Sequence, residues 1–378
     1  MRVFLFPFAL LYGLVVHLRN KLFDWNIVTS KSFPLPVIAV GNLSTGGTGK
    51  TPHTEYLIKL MQDNNLQPAT LSRGYGRDTK GYIEAGEQSD YHEIGDEPLQ
   101  FSHKFEGVTV AVDEKRKRGI RMLLKKHPAP GAIILDDAFQ HRYVKPDLSI
   151  LLTDYHNLYT ENYLLPTGNL REMRCGAKRA DIIIVTKTPS VLSPLDRRQI
   201  EAKIKPRPHQ KLFFTKITYC KPLPLPGTEP VFDPTGLNTI LMFSGIANSY
   251  PFQEYLKTKC SELIVLEFPD HHKYSRKDIG KIIDTYKDIF SMKKAILTTE
   301  KDAMRLIKSR LMDHLKDYPV FYVPINIVFQ DKEKNAFNKL VLDYVRKDKG
   351  KRELSEKENN PSTNDRDRAG NRTARTGR

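Results

Sequence analysis

Short apolar runs alternate with amphipathic segments along most of the chain, and this alternation predicts strands separated by helices. The runs of the first half are Ala69–Leu71, Val108–Val112, Ala132–Leu135, Leu148–Leu152 and Asp181–Val185. Strands of a parallel sheet are buried on both faces, so they carry near-continuous Val, Ile and Leu. Thr51–Met61 has the pattern of a helix. The pattern therefore predicts an α/β fold with a doubly wound parallel sheet.

Prolines cluster between Pro189 and Pro234 around the strand-like segment KLFFTKITY, which indicates a domain boundary. A second set of apolar runs follows, at Thr239–Phe243, Leu263–Phe268, Ala295–Thr298 and Val320–Val323. After Arg346 large apolar residues almost disappear, as is typical of disorder. We predict a first α/β domain over 31–205, an extended connector over 206–235, a smaller α/β domain over 236–345 and a disordered charged tail over 346–378.

The first 30 residues contain the most apolar segment, Val3–Val16, followed by His17, Arg19 and Lys21. A bilayer span takes about 20 residues as a helix, so this run is too short. A signal peptide would have an apolar run of this length, but no small-x-small cleavage site follows. A buried core helix is the other alternative. We favour a membrane-associated helix, within residues 1–30, that lies at the interface.

Composition narrows the functional classes. The 378 residues are 39% hydrophobic, which suits a soluble chain long enough for two domains. A net charge of +16 favours an anionic partner such as nucleic acid, an acidic membrane or a phosphorylated substrate. Cys175, Cys220 and Cys260 are widely spaced. This spacing argues against a disulfide framework and a zinc site, and for a reducing compartment.

The clearest chemical motif is GNLSTGGTGKT, which follows the apolar run that starts at Val37. Its glycines let several backbone N–H groups converge on one anion, and the helix that follows adds its positive dipole end. Lys50 would reach the β- and γ-phosphates of a nucleotide, and the Thr51 hydroxyl would hold Mg²⁺. The predicted phosphate site consists of Ser44, Thr45, Gly46, Gly47, Thr48, Gly49, Lys50 and Thr51. Ser44 replaces the first glycine of the usual pattern, so a turn that binds nothing is the alternative.

Acidic residues follow other predicted elements. Asp136 and Asp137 end the apolar run AIILDD, where an Mg²⁺-binding acid is expected beside a phosphate loop. Asp96 in GDEP is either a helix N-cap or a general base that orients an acceptor hydroxyl. The histidines of Phe268–His272 (FPDHH) form either a metal pair or a group that assists a base or a phosphate.

Cations follow several predicted strands. In LPTGNLRE, Arg171 and Glu172 either contact a phosphate and a hydroxyl or form a surface ion pair. Further cations in equivalent places are Arg73, Arg77, Lys115, Arg116 and Arg118. The carboxyl ends of parallel strands share one edge of a sheet, so together these residues indicate an anionic substrate.

Eight blocks occur in a fixed order: GNLSTGGTGKTP, SRGYGR, GDEP, LDDAFQHR, LPTGNLRE, FSGIANSYPF, FPDHH and TTEKDAMRL. Together they resemble the tetraacyldisaccharide 4'-kinases of lipid A biosynthesis, from the N-terminal apolar segment to about Arg346. Ser44 lies within the variation of that family. Ala138 and Asn169 depart from it, because the family usually has glycine and proline there.

The resemblance implies transfer of the γ-phosphoryl group of ATP, with Mg²⁺, to the 4'-hydroxyl of a lipid A disaccharide 1-phosphate. It implies two α/β domains joined by a β-ribbon, and an N-terminal helix on the cytoplasmic leaflet of the bacterial inner membrane. Lys50 and Thr51 would serve ATP and Mg²⁺, with Asp136 or Asp137 supporting the metal. Asp96 would be the base, assisted by His271. The residues facing the substrate headgroup would be Arg73, Tyr75, Arg116, Arg171 and Glu172.

Three other classes remain as alternatives, and neither nucleic acid nor an obligate protein partner is expected. A regulatory GTPase would need an Asp where the TKxD-like segment has Pro189. A partitioning ATPase would not need FPDHH or an apolar N-terminus. A nucleic-acid-binding protein fits the charge but not the motifs. Phosphate transfer to a lipid disaccharide, rather than release of free phosphate alone, distinguishes the kinase.

Overall fold

The computed structural model describes residues 2–127, 130–228, 234 and 236–359, with the backbone alone for 2–3 and 348–359. Its strands are β1 (Val37–Asn42), β2 (Pro68–Ser72), β3 (Ile83–Glu84), β4 (Thr109–Val112), β5 (Ala132–Leu135), β6 (Leu148–Asp154), β7 (Ile182–Thr186), β8 (Lys211–Tyr219), β9 (Leu223–Pro224), β10 (Thr239–Ser244), β11 (Glu262–Glu267), β12 (Lys294–Thr299), β13 (Val320–Val323) and β14 (Ile325–Phe329). Its α-helices are α1 (Phe6–Asp24), α2 (Lys50–Gln62), α3 (Tyr91–Ile94), α4 (Asp96–Lys104), α5 (Arg116–Lys126), α6 (Pro194–Ile204), α7 (Tyr250–Lys257), α8 (Arg276–Lys287), α9 (Glu300–Leu306), α10 (Met312–Leu315) and α11 (Glu333–Asn359).

The first sheet of the described chain has nine strands in the order β14-β8-β7-β6-β1-β5-β2-β4-β3. Only its edge strands β3 and β14 run antiparallel to their neighbours. β1 lies inside the sheet between β5 and β6, and all of its residues are buried. The apolar runs predicted as strands are strands here, with ends within two residues of those predicted. The predicted doubly wound α/β fold is therefore confirmed.

A second sheet has the order β11-β10-β12-β13-β9, with only the short β9 antiparallel. One buried cluster joins Phe243 of β10 and Ile279 of α8 to Leu99 of α4. The smaller domain therefore packs directly on α4, the helix that begins at Asp96. This contact is what brings the GDEP and FPDHH segments together.

The predicted end of the smaller domain at residue 345 is wrong. After β13 the chain returns to the first sheet, where β14 pairs antiparallel with β8. Helix α11 then packs on that sheet, with Phe337 and Val341 buried in the same core as Ile38 of β1. The alternating pattern of β14 predicts a strand but not its partner, because β8 lies about a hundred residues earlier.

The connector predicted over 206–235 contains β8, a strand of the first sheet. Its first half, Lys211–Phe214, pairs with β7, whereas Thr215–Tyr219 pairs with β14 alone. This second half forms a two-stranded ribbon between the domains. Residues 229–233 and 235 of the predicted connector lie outside the described residues.

The tail predicted as disordered from residue 346 begins as helix, because α11 continues to Asn359. This part of the prediction is wrong for a physical reason. Lys, Glu, Arg and Leu are good helix formers, and the start of α11 is already anchored on the sheet. Residues 360–378 lie outside the described residues.

Helix α1 lies on the protein surface with most of its apolar side chains turned outward. Phe8, Leu11 and Leu14 are each more than 60% exposed. Only Ala9, Gly13 and Phe23 are buried among its described side chains. The alternative of a core helix is therefore wrong. Within the described ranges, no helix has both the length and the apolar character needed to cross a membrane.

Candidate active site

The glycine-rich loop between β1 and α2 has the backbone that its sequence predicts. Gly46 and Gly49 have φ values of +102° and +83°, in the left-handed region that favours glycine. The Asn42 amide donates to Thr48 Oγ1 at 2.9 Å, and Thr186 Oγ1 donates to the Thr48 carbonyl at 2.9 Å. These bonds fix the loop from below. The predicted loop residues 44–51 therefore form a glycine-rich turn that opens directly into a helix, which is the geometry that a phosphate-binding loop requires.

His53, which was not predicted as a site residue, also holds this loop in place. It is buried, and its Nδ1 lies 2.7 Å from the Gly49 carbonyl while Nε2 lies 3.0 Å from Thr215 Oγ1. A carbonyl only accepts, so Nδ1 carries the hydrogen and Nε2 accepts from the threonine. Burial lowers the pKa of His53 to about 4, which keeps the ring neutral.

Three carboxylates surround the start of α2. Asp137 lies 3.7 Å from Lys50 Nζ and 3.0 Å from Arg171. Burial opposes ionisation of Asp137, but these two cations outweigh it and lower its pKa. Asp136 is fully buried. Burial and the charges of Glu97 and Asp137 raise its pKa to about 7.

Glu97 is the third carboxylate, and Thr51 Oγ1 donates to it at 3.2 Å. Together the three carboxylates and the Thr51 hydroxyl fit Mg²⁺, which prefers oxygen ligands and usually takes one or two carboxylates plus phosphate oxygens. Burial, and then the charges of Glu97 and Asp137, raise the pKa of Asp136, and a divalent cation bound beside these carboxylates would favour its ionised form. Thr51 with Asp136, Asp137 or Glu97 would hold the ion. The described chain contains no cluster of three or more His, Cys, Asp or Glu residues arranged for a metal.

Asp96 and His271 meet across the domain interface. His271 Nδ1 lies 3.1 Å from Asp96 Oδ2, and Arg305 donates to the same oxygen at 2.6 Å. Asp96 Oδ1 accepts from the Glu97 backbone N–H. Burial opposes ionisation of Asp96, but the hydrogen bond from His271 and the charges of Lys301 and Arg305 outweigh it. They hold the pKa of this carboxyl well below its usual range.

The two histidines of FPDHH have different roles. His271 Nε2 faces Lys301 Nζ at 3.3 Å, so its ring lies between the lysine and Asp96. His272 instead stacks on Phe268 and lies 3.1 Å from Asp278 at the start of α8. The alternative of a metal pair is therefore not supported, and the structure places only His271 at the site.

A cavity of about 440 Å³ opens beside these carboxylates. Helix α1 forms one wall, and the carboxyl ends of β2 and β5 form the other. Its polar lining residues include Tyr12, Arg19, Asn20, Arg73, Tyr75, Glu97, Asp136, Asp137, Gln140, His141, Arg171 and Glu172. Burial, with the charges of Arg116 and Arg73, lowers the pKa of His141 to about 4. The cavity therefore offers cations and neutral donors close to the phosphate loop.

The predicted headgroup residues divide into two groups. Arg73, Tyr75 and Arg171 line the cavity with accessible side chains, and the Tyr75 ring lies 5.0 Å from that of His271. Arg116 is buried and donates to the carbonyls of Asp113 and Asp136. The prediction that Arg116 faces the headgroup is therefore wrong for this conformation.

Glu172, Arg77 and Arg118 are engaged with other side chains, whereas Lys115 is exposed. Glu172 is buried and accepts from Arg179 at 2.8 and 2.9 Å. Arg77 pairs with Glu114, and Arg118 pairs with Asp113. Residue type and position after a strand predicted cations at the rim, but they could not show which cations already had partners.

Lys301 and Arg305 were also missed as site residues. Both belong to the block TTEKDAMRL, whose pattern alone does not predict a role in the site. Lys301 Nζ lies 3.4 Å from Glu97, and Arg305 also donates to Asp302 at 2.8 Å. The sequence did contain a signal for these two site residues, namely two cations about one helical turn apart near the start of α9. Their partners come from a segment two hundred residues away.

Comparison with known proteins gives a consistent picture. The sequence profile of the family described as Tetraacyldisaccharide-1-P 4'-kinase matches residues 1–346. A Tetraacyldisaccharide 4'-kinase of Bacteroides thetaiotaomicron is 46% identical over 367 residues, covering 94% of this chain and 96% of the relative. One of Flavobacterium johnsoniae is 46% identical over 348 residues, covering 92% and 98%. A crystal structure of LpxK from Aquifex aeolicus in complex with ATP superposes with a TM-score of 0.69 at 31% identity, covering 91% of this chain and 99% of that one.

Proposed function

This chain belongs to the tetraacyldisaccharide-1-P 4'-kinase family, and we propose a role for each polar group of its cleft in that family's reaction. The reaction is the ATP-dependent phosphorylation of the 4'-hydroxyl of a lipid A precursor. One observation carries the assignment of roles. The phosphate loop and the Asp96–His271 pair belong to one polar cluster, joined by Glu97, which accepts from Thr51 and lies 3.4 Å from Lys301.

The loop of residues 44–51 holds the phosphates of ATP through its backbone N–H groups. Lys50 neutralises charge on the transferring phosphoryl group, an interaction that strengthens in the transition state. Asp137 lies 3.7 Å from the Lys50 ammonium and also pairs with Arg171, so its charge is shared between the two cations. These residues therefore supply positioning and charge, which dominate catalysis of phosphoryl transfer.

His271 and Asp96 together remove the proton of the acceptor hydroxyl. Asp96 is a poor base here, because its oxygens already accept three kinds of donor and its pKa is held low. A carboxylate only accepts, so His271 Nδ1 carries a hydrogen, and the lone pair of Nε2 accepts from Lys301 Nζ at 3.3 Å in this conformation. When the acceptor hydroxyl replaces Lys301 at Nε2, Nε2 takes the hydroxyl proton as the oxygen attacks the γ-phosphorus and ADP leaves. Asp96 then stabilises the imidazolium, the reverse of the roles proposed from the sequence.

Mg²⁺ fits the oxygen groups of Thr51, Asp136, Asp137 and Glu97. When bound, it would neutralise charge on the phosphates and orient them. Arg116 supports this group from behind, because its guanidinium holds the backbone carbonyl of Asp136. Arg73, Tyr75 and Arg171 line the acceptor side of the cavity and would contact the phosphorylated sugar headgroup.

The acceptor is a lipid, and α1 provides a suitable surface for a membrane. Phe8, Leu11 and Leu14 face away from the protein. Arg19 and Lys21 follow at the end of the helix, where they would meet anionic headgroups. We infer that α1 lies in the cytoplasmic leaflet of the inner membrane, beside the cavity that receives the substrate.

The test measures phosphate transfer from γ-labelled ATP to a tetraacyldisaccharide 1-phosphate by the purified protein in detergent. We expect labelled lipid to form, and chelation of divalent cations to stop its formation. Lys50→Ala should abolish transfer without unfolding the protein. Release of free phosphate alone would contradict the proposed acceptor. Retention of more than about a tenth of the activity by Lys50→Ala would contradict the role of the loop, since tenfold corresponds to about 1.4 kcal/mol.

A further inference from the structure

Helix α1 contacts the loop that carries Arg171 through a partly buried hydrogen bond. The Tyr12 hydroxyl donates to the backbone carbonyl of Arg171 at 2.7 Å. Burial raises the pKa of the Tyr12 phenol, which therefore stays a neutral donor. Gly13, the next residue, lies against Leu164, and a Cβ at this position would be 2.5 Å from Leu164 Cδ1. The absent side chain lets the helix approach the loop that carries Arg171.

The peptide of Arg171 is held from two sides. Its N–H donates to the Leu43 carbonyl at 2.7 Å, at the start of the phosphate loop. Its carbonyl accepts from Tyr12 on α1. Two residues earlier, the Asn169 carbonyl accepts from the Thr45 backbone N–H at 2.7 Å. The segment of Asn169 and Arg171 therefore lies between α1 and the phosphate loop, and it is bonded to both.

The Arg171 side chain continues this connection to the phosphate-binding lysine. Its Nη1 lies 3.1 and 3.0 Å from the two oxygens of Asp137. Asp137 Oδ1 lies 3.7 Å from Lys50 Nζ. Three contacts thus join the helix to Lys50. Asp137 shares its charge between two cations, so loss of Arg171 from this place would leave Lys50 as its nearest partner.

A second contact fixes the same helix to the same loop. Asn20 Nδ2, two turns after Tyr12, donates to Glu172 Oε2 at 3.0 Å. Glu172 is held in turn by Arg179 and by Gln140. The Gln140 amide also donates to the Asn42 carbonyl at 2.6 Å. Consecutive residues of one loop, Arg171 and Glu172, are therefore bonded to α1 on one side and to the end of β1 on the other.

We propose that Tyr12 is a positioning residue for phosphoryl transfer, and that α1 aligns Arg171 and Asp137 with Lys50 in addition to binding the membrane. This inference rests on the proposed function. When α1 packs correctly on the loop, the Arg171 guanidinium stays on Asp137, and the Lys50 ammonium remains available to the phosphates. We therefore expect a change in the packing of α1 on this loop to alter turnover more than it alters the affinity for ATP.

The membrane-binding and positioning roles use different faces of the helix, so they can be separated. Tyr12 and Asn20 face the cavity, whereas Leu11 is 62% exposed on the outer face. Tyr12→Phe removes only the hydroxyl. Tyr143→Phe is the matched control, because Tyr143 also contacts α1 through Phe23. Among the described residues its hydroxyl has no hydrogen-bond partner.

The experiment measures kcat and KM for both substrates in detergent, together with binding to vesicles that contain anionic phospholipid. We expect Tyr12→Phe to lower kcat about threefold to tenfold, the range for loss of one hydrogen bond. Its KM for ATP and its vesicle binding should stay at wild-type values. Tyr143→Phe should match the wild type in all of these. Leu11→Ala should weaken vesicle binding.

A double-mutant cycle provides a second measurement that depends on the connection itself. In an Arg171→Ala background, Tyr12→Phe should have little further effect on kcat, because the guanidinium that Tyr12 positions is gone. Equal kcat for Tyr12→Phe and Tyr143→Phe would overturn the inference, as would effects of Tyr12→Phe and Arg171→Ala that simply multiply. A wild-type protein that transfers no phosphate to lipid would overturn the proposed function instead.

Discussion

The chemistry of a single side chain at this site depends on the donors around it. Asp96 would be an effective base only if its pKa lay near neutrality. Arg305 and His271 donate to Oδ2 and the Glu97 backbone donates to Oδ1, and the pKa of this carboxyl lies below the usual range. We therefore assign the basic role to Nε2 of His271, which accepts from Lys301 until the acceptor hydroxyl replaces it.

At this scale we expect Asp96→Asn and His271→Ala each to lower kcat by about 10² or more, with little change in ATP binding, because each breaks the same proton acceptor. The double variant should be no worse than the more impaired single variant, since the two residues act as one unit. Steady-state kinetics with the lipid substrate check this.

His272→Ala is the matched control for this prediction, because it removes the neighbouring imidazole, which contacts Phe268 and Asp278. It should keep its turnover within a few fold of the wild type. Losses in the double variant equal to the product of the single losses would show two independent roles and would contradict a shared proton acceptor.

At the scale of elements, the first domain is completed by the last part of the chain. Phe337 of α11 is 2% exposed and lies edge-on to Phe213 of β8, at 5.4 Å between ring centroids. It also contacts Tyr56 of α2, the helix that begins at Lys50. The helix that begins at Lys50 is therefore packed against an element nearly three hundred residues later.

We expect Phe337→Ala to lower the free energy of unfolding by about 3–5 kcal/mol, the usual cost of a large cavity at a buried aromatic residue. Phe290→Ala, the same change at a fully exposed phenylalanine, should change it by about 0.5 kcal/mol or less. Denaturant unfolding of both variants measures the difference. Similar values for the two would contradict the assignment of α11 to the first domain's core.

At the scale of the whole molecule, a buried charged cluster links the two domains away from the reacting groups. Lys104 at the end of α4 donates to Glu55 at 2.8 Å and to Glu300 of α9 at 3.1 Å. Burial, and then the charge of Glu300, raise the pKa of Glu55 to about 7. One ammonium thus serves two carboxylates, one on the phosphate-loop helix and one in the smaller domain.

The raised pKa of Glu55 gives stability a definite pH dependence. The folded protein holds this proton more tightly than the unfolded chain, so the contribution is fully present below about pH 4.5 and is lost as pH rises to about 7. Glu55→Gln should reduce the fall in unfolding midpoint across this window. Glu106→Gln, at an exposed position, should leave it unchanged. A wild-type unfolding midpoint that rises over this pH range, with the rise removed by Glu55→Gln, would contradict the predicted direction of the pH dependence.

The sequence by itself determined the features that depend on neighbours along the chain. The phosphate loop, the strands on either side of it and the acids at 136 and 137 follow from glycine geometry, apolar runs and position at strand ends. The exposed apolar face of α1 was also foreseen, because a short uncharged run between cations suits an interface. The family was recognisable from eight short blocks, and the comparisons confirm it.

Only the tertiary structure decided what depends on pairs of groups far apart in the chain. In the folded protein His271, and not His272, contacts Asp96, and the buried Arg116 donates to the backbone carbonyl of Asp136. The tertiary structure also returned β14 to the first sheet. A residue type states which bonds a side chain can make. Which bond it does make depends on the partner that folding brings within about 3 Å, and no local pattern encodes that partner.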